Sequence, residues 1–144
     1  MTMFKMTVSG VKELEKKLDA LGKDISDVLE EATAAGAMVV VRAAQDNSRK
    51  GGEFPHRVTG NLFRNIAEVS PAVIKKTDER CEMAVGSSME YARRLEHGFM
   101  DTDKLGRRYN QQPRPFLRPA LDENTDEIEK AIAKKLEQVI RRYS

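Results

Sequence analysis

"ISDVLEEATAAGAMVVVRAAQ", residues 25–45, is the stretch on which the fold turns. Ile25, Val28, Leu29, Ala32, Gly36, Val39, Val40 and Ala43 recur mostly at steps of three and four. That spacing predicts one amphipathic helix running to about Gln45, with Asp24 placed to cap it. At the standard rise it spans roughly 30 Å. The run "EATAAGAMVV" (31–40) is rich in small side chains, which lets a neighbouring element come close, so this helix is expected to be the central beam of the molecule.

Toward the N-terminus, Val11, Leu14, Leu18 and Leu21 repeat at helical spacing and Gly22 follows as a stop. A short helix is predicted over 10–21. Ahead of it "MFKMTV" (3–8) alternates, with Phe4, Met6 and Val8 on one side, and reads as an edge strand. Toward the C-terminus, "NSRKGGEFPHRVTGN" (47–61) carries paired glycines, a proline and Thr59-Gly60-Asn61, which predicts a long mobile loop with turns. "LFRNIAEVSPAVIKK" (62–76) and "RCEMAVGS" (80–87) lean toward β structure and are joined by polar residues. They read as a hairpin turning near Thr77-Asp78, with Pro71 demoting its first strand to an edge or bulged position.

"YARRLEHG" (91–98) reads as a short helix. Ser87 and Glu90 match a capping box, His97 lies in the last turn and Gly98 stands where a left-handed residue ends a helix. Tyr91, Ala92 and Leu95 share its expected apolar face, Glu90 and Arg94 form an expected surface pair, and the charged residues fall on the wet side. "FMDTDKLGRRYNQQPR" (99–114) is expected to be a second mobile loop, basic beyond Asp103. "PRPFLRPAL" (113–121) then leads into a final helix, with Pro119 suited to a first turn and Ile128, Ile132, Leu136, Val139 and Tyr143 along one stripe. The fold class is therefore α+β: two N-terminal helices, a small antiparallel sheet with a β-hairpin, a short helix and a C-terminal amphipathic helix, with two long mobile loops. A single domain over residues 1–144 is expected.

Charged residues make up 33% of the 144 and hydrophobic ones 40%, at a net charge of +2. This argues against general disorder and against a chain basic throughout. One cysteine, Cys81, rules out an internal disulfide. No apolar run reaches the roughly 20 residues that span a bilayer, and "MTMFKMTVSG" lacks a signal-peptide core, so a soluble, unprocessed chain is expected with no membrane role. Catalytic constellations are equally scarce. His56 lies in the first loop and His97 at a helix end. "VGSSME" (85–90) lacks the second glycine of a nucleophile elbow, and Cys81 has no evident activating base. Asp101 and Asp103 are too few for calcium, and "GGEF" lacks a phosphate-loop continuation. No enzyme, cofactor or small-molecule substrate is expected. Cations outnumber acids over 49–64 and 104–118, which would suit a nucleic-acid backbone or an acidic protein partner.

Three ordered stretches carry a resemblance: "TGNL" followed by Ile66, then "YARRLEHG", then "PRPFLRPAL" ahead of an amphipathic helix. Together the chain resembles the tail-component or neck (tail-completion, head-tail joining) proteins of long-tailed double-stranded-DNA bacteriophages. The matching positions are Thr59, Gly60, Leu62 and Ile66, then Tyr91, Ala92, Glu96 and Gly98, then Pro115, Phe116, Leu117, Pro119, Ala120 and Leu121. Phe63, where a basic residue is expected, and Phe99, where threonine commonly follows the glycine, depart from the pattern. The resemblance implies a structural virion protein made in the bacterial host cytoplasm. It would form a ring, expected to be a hexamer, where the DNA-filled head meets the tail. Its expected partners are further copies of itself, head-closure or connector and tail proteins, and DNA passing through the ring. Residues 47–61 and 99–114 are the expected contact segments, with Phe54, Arg57, Phe99, Met100, Lys104, Arg107 and Arg108 as candidate interface residues. The alternative is a nucleic-acid-binding module using basic loops 49–64 and 104–118.

Overall fold

The computed structural model describes residues 2–9, 25–55 and 60–142. The helix expected over 10–21, Asp24, and the positions His56, Arg57, Thr59 and Tyr143 lie outside the described residues. In chain order the elements are β1 (Thr2–Ser9), α1 (Ile25–Asn47), α2 (Asn61–Val69), β2 (Ala72–Lys76), β3 (Arg80–Ser87), α3 (Ala92–His97), β4 (Phe99–Thr102), β5 (Arg108–Gln111), α4 (Arg118–Asp122) and α5 (Thr125–Arg142). This is the α+β class that the sequence predicts.

Helix α1 is the central beam. Its buried stripe runs through Ile25, Val28, Leu29, Ala32, Gly36, Val40 and Ala44. It is broader than the predicted face, because β3 covers one flank and α5 the other, and a helix covered on two sides buries more than one stripe. Val39 and Ala43 consequently sit at the margin, half-buried, while Ala37 and Val41 are fully inside. Thr33, buried on this helix, satisfies its hydroxyl by donating to the Leu29 carbonyl at 2.6 Å. The predicted close approach is met at Gly36: a Cβ there would lie 2.8 Å from Ile132 Cγ1 and 2.9 Å from Ile132 Cδ1. Alanine at position 36 adds helix propensity of about 1 kcal/mol but forces apart a contact that costs about 1–3 kcal/mol to overpack. Gly36→Ala is therefore expected to be net destabilising, by about 1 kcal/mol, with a lower urea midpoint as the readout. A higher midpoint would show that the Ile132 and Met6 side chains turn aside at little cost.

The three-stranded sheet has the order β1-β3-β2, antiparallel throughout, with Thr2 opposite Ser87 and Ser9 opposite Arg80. Central β3 buries Cys81, Met83, Ala84 and Val85, and β1 is the edge strand predicted from its alternation. The other half of the predicted hairpin is corrected. Residues 61–69 are helical, because Leu62 and Ile66, four apart, turn inward while Arg64, Ala67 and Glu68 face out. Gly60, at φ 80°, sits at the helix start, and Ser70 is extended ahead of Pro71, the conformation that a following proline imposes. What remains of the strand is β2, five residues on the edge, with a register shift between Val73 and Lys75. That is the edge or bulged strand expected from Pro71. Ser70 locks the corner to β3, donating to the Gly86 carbonyl at 3.0 Å and accepting its N–H at 2.9 Å. Lys76, the last residue of β2, bridges to α1 through Asp27 (2.5 Å) and Glu30 (2.7 Å). Those hydrogen bonds hold its pKa above the ordinary lysine value.

Two further expectations change. The capping box does not form: Ser87 belongs to the β1–β3 ladder, donates to Asn65 at 2.6 Å and accepts the Met89 N–H, so α3 starts only at Ala92. The predicted final helix is two pieces, α4 and α5, parted at Glu123 and Asn124. Pro119 does occupy the first turn of α4. Along α5, Ile128 and Val139 are buried and Ile132 and Leu136 half-buried, the single stripe expected, and it lies against α1 with Lys135 paired to Glu31 at 3.3 Å.

Candidate functional site

Glu96 is where the structure departs furthest from the surface reading of 91–98. Instead of lying on the wet side it is 5% exposed, and its carboxylate takes three backbone N–H groups: Phe116 at 2.9 Å and Leu117 at 3.0 Å on Oε2, and Arg118 at 2.9 Å on Oε1. These are orphan donors at the start of α4, which an anion satisfies and stabilises. The segment is pinned further by the Arg114 N–H to the Leu95 carbonyl at 2.6 Å and by Asn47, whose side chain donates to the Phe116 carbonyl at 3.3 Å. Phe116, Leu117 and Ala120 are then fully buried against the core. Two of the sequence motifs, 91–98 and 113–121, are the two halves of one clasp.

The chain between those halves is a β-hairpin, not a mobile loop. Strands β4 and β5 pair from Phe99↔Gln111 to Thr102↔Arg108. Gly98, at φ 77° and ψ 174°, turns the chain from α3 into the hairpin as its N–H closes on the Arg94 carbonyl at 2.8 Å. Asp103 builds the tip. Its carboxylate accepts the N–H groups of Leu105 (2.9 Å) and Arg107 (2.8 Å), the Arg107 Nε–H (2.6 Å) and the Tyr109 hydroxyl (3.1 Å), and Gly106 supplies the positive φ that the turn needs. Partial burial pushes the Asp103 carboxyl up, but the bonds from Arg107, Tyr109 and Leu105 outweigh it and its pKa lies below the ordinary value. Its contribution is thus full above the ordinary carboxylate pKa and fades as pH falls through the lowered one.

Little of the hairpin is covered. Met100 is 78% exposed, Leu105 79% and Tyr109 42%, and among the described residues no other element packs broadly upon it. Arg94, expected opposite Glu90, instead lays its guanidinium over the Phe99 ring at 4.1 Å, and Phe99 meets Tyr109 at 6.1 Å. Arg107 is spent on Asp103, while among the described residues Lys104 and Arg108 have no acidic partner. At the hairpin's base, residues 52–54, 112–115, Pro119 and Glu123 line an open groove of about 420 Å³. One wall is held by Arg114, which donates to the Gly52 carbonyl at 2.7 Å.

The candidate interface residues thus divide. Phe99, Met100, Lys104, Arg107 and Arg108 come together on the hairpin, Phe54 lies at the groove under Lys50, and Arg57 is outside the described residues. The cations of the first basic segment are engaged locally: Arg49 pairs with Asp46 and stacks on Phe63, and Arg64 bonds to Asn61. Of the motif residues, Gly60 precedes α2, Leu62 and Phe116 are buried, Glu96 and Gly98 sit at the clasp and Pro119 in the first turn of α4. Tyr91, expected on the apolar face of α3, precedes the helix and is 41% exposed. Sequence reasoning missed the organising role of Asp103, although Asp103 followed by Gly106 is a turn signature, and missed Arg114. Cys81 is fully buried, and burial raises its thiol pKa, as in an inert structural cysteine. Among the described residues no three His, Cys, Asp or Glu side chains gather as a metal site, and no helix is long and apolar enough to cross a membrane.

A family model described as "Bacteriophage HK97-gp10, putative tail-component" matches residues 12–98, more than half of the chain. The match covers α1, the corrected helix α2, the sheet strands β2 and β3, and α3 with Glu96 and Gly98. No curated protein and no solved structure matches the chain.

Proposed function

Since this chain belongs to the HK97-gp10-like family of bacteriophage tail components, we propose that it is a structural subunit of the virion neck, closing into a ring that joins head to tail. The family makes it a phage tail-component protein; the hairpin supports the reading that neighbouring subunits engage it. A single observation carries the reading: residues 99–111 form an ordered arm whose large apolar side chains Met100, Leu105 and Tyr109 face solvent while its base is clasped to the core by Glu96. An isolated chain gains nothing from holding such an arm rigid, whereas a preordered arm lowers the entropy cost of joining a neighbour. Six copies, head-closure or connector proteins on one side and tail proteins on the other are the proposed partners, with DNA passing through the lumen.

The reading is tested by deleting residues 101–110 in the phage. The expected result is unjoined heads and tails by electron microscopy, with plaque formation lost. Heads joined normally to tails would sink it. Binding of nucleic acid through the basic segments is the weaker reading, because Arg49, Arg64 and Arg107 already have partners within the chain. Salt-dependent retention on DNA that disappears when Arg107 and Arg108 become alanine would favour it instead.

A further inference from the structure

The hairpin tip and the groove at the hairpin's base are complementary, yet they cannot meet within one chain. The tip offers Leu105 to solvent, flanked by Lys104 and Arg108. The groove is lined by Phe54, Pro113 and Pro119 and by two carboxylates, Glu53 and Glu123, with Arg114 turned onto the Gly52 carbonyl at one wall. Arg107 answers Asp103 inside the tip, so Lys104 and Arg108 carry the positive charge left for a partner, with Asp101 the one other exposed charge on β4 and β5. Residues 112–115 of the groove continue directly from β5, and four residue pairs at ~3.4 Å each hold the tip roughly 14 Å away from them. The ladder that orders the arm also keeps it out of its own groove.

We infer that the hairpin tip of one copy seats in the basal groove of the next, Leu105 entering between Phe54 and Pro119 with Lys104 and Arg108 facing Glu53 and Glu123. This rests on the ring reading above and specifies its contact. Tip and groove are different surfaces of the same chain, so the contact is head-to-tail, the kind that propagates around a ring instead of ending at a dimer. Opposed charges set the direction of insertion and disfavour tip-to-tip encounters.

The test uses the full chain with Leu105→Cys in one preparation and Glu123→Cys in another, mixed under mild oxidation; native Cys81 is buried and does not compete. The expected result is a disulfide-linked dimer in the mixture and in neither preparation alone, with a ladder of multimers from the double variant. Lys104→Glu with Arg108→Glu is expected to lower the cross-link yield roughly tenfold, and Glu53→Lys with Glu123→Lys in the partner, the cysteine then moved to Pro119, to restore it. Cross-linking of the Leu105→Cys preparation with itself would overturn the inference in favour of tip-to-tip pairing. No cross-link from a sample that light scattering shows to be oligomeric would overturn the inference and leave the ring standing on another surface. A sample that is monomeric at every concentration and uncross-linked would overturn both.

Discussion

Glu96→Ala is expected to destabilise the protein by on the order of 3–5 kcal/mol. The removed carboxylate is the shared acceptor for the N–H groups of Phe116, Leu117 and Arg118. The site is 5% exposed, so water cannot readily replace it. Each buried donor left without a partner costs about 1–3 kcal/mol, and some of that is recovered as the 116–118 segment loosens. At about 2–4 °C per kcal/mol for a chain of this size, a fall of roughly 10 °C in melting temperature is the readout. Glu96→Gln separates charge from geometry. Its amide oxygen can keep the Phe116 and Leu117 bonds, but its NH₂ then faces the Arg118 N–H, and the expected cost is about half as large. An alanine variant that melts with the native protein would remove the clasp from any account of this fold.

Gly98→Ala is the second large effect, and it strikes the hairpin selectively. The residue has φ 77° and ψ 174°, a region that L-residues other than glycine occupy only at about 1–3 kcal/mol. A Cβ would also lie 2.8 Å from the Gln111 carbonyl oxygen and 3.0 Å from Pro113 Cδ. Gln111 is the first partner in the β4–β5 ladder, so the clash falls on the residue pair that closes the arm's base. A total of about 3 kcal/mol is expected, with amide exchange accelerating across 99–111 and remaining slow in α1. Gly106→Ala is the matched control. It also has positive φ, but a Cβ there meets nothing within 4 Å, and about 1 kcal/mol of backbone strain is all it should cost. Equal effects at the two glycines would mean that the base of the arm is not closely packed.

The beam, the edge strand and the last helix were legible because each has an apolar period longer than its exceptions. Helix α2 was not. With nine residues it buries only Leu62 and Ile66, and Ile66 and Val69 have the β-branched character that biases a short segment toward a strand reading. The hairpin arm was hidden for the opposite reason: β5 is exposed along its whole length, so no core imprints an alternating pattern on it. The Ser87–Glu90 capping signal was present but overridden, since Ser87 was already held by the sheet. The function of Glu96 left no trace because its partners lie twenty and more residues away and are backbone groups, which every residue type but proline supplies. The resemblance singled out Glu96, Gly98, Phe116 and Pro119; the clasp and the turn into the arm explain why they go together.

That last property has a genetic corollary. Because Glu96 grips amides and not side chains, codons 117 and 118 can drift as far as packing tolerates without loosening its hold, provided that none becomes proline. The two prolines nearest by stand at 115 and 119, just outside the three donors. The hydrogen-bonding risk of the three amides is therefore gathered into one acidic codon, while the packing risk stays with Phe116 and Leu117.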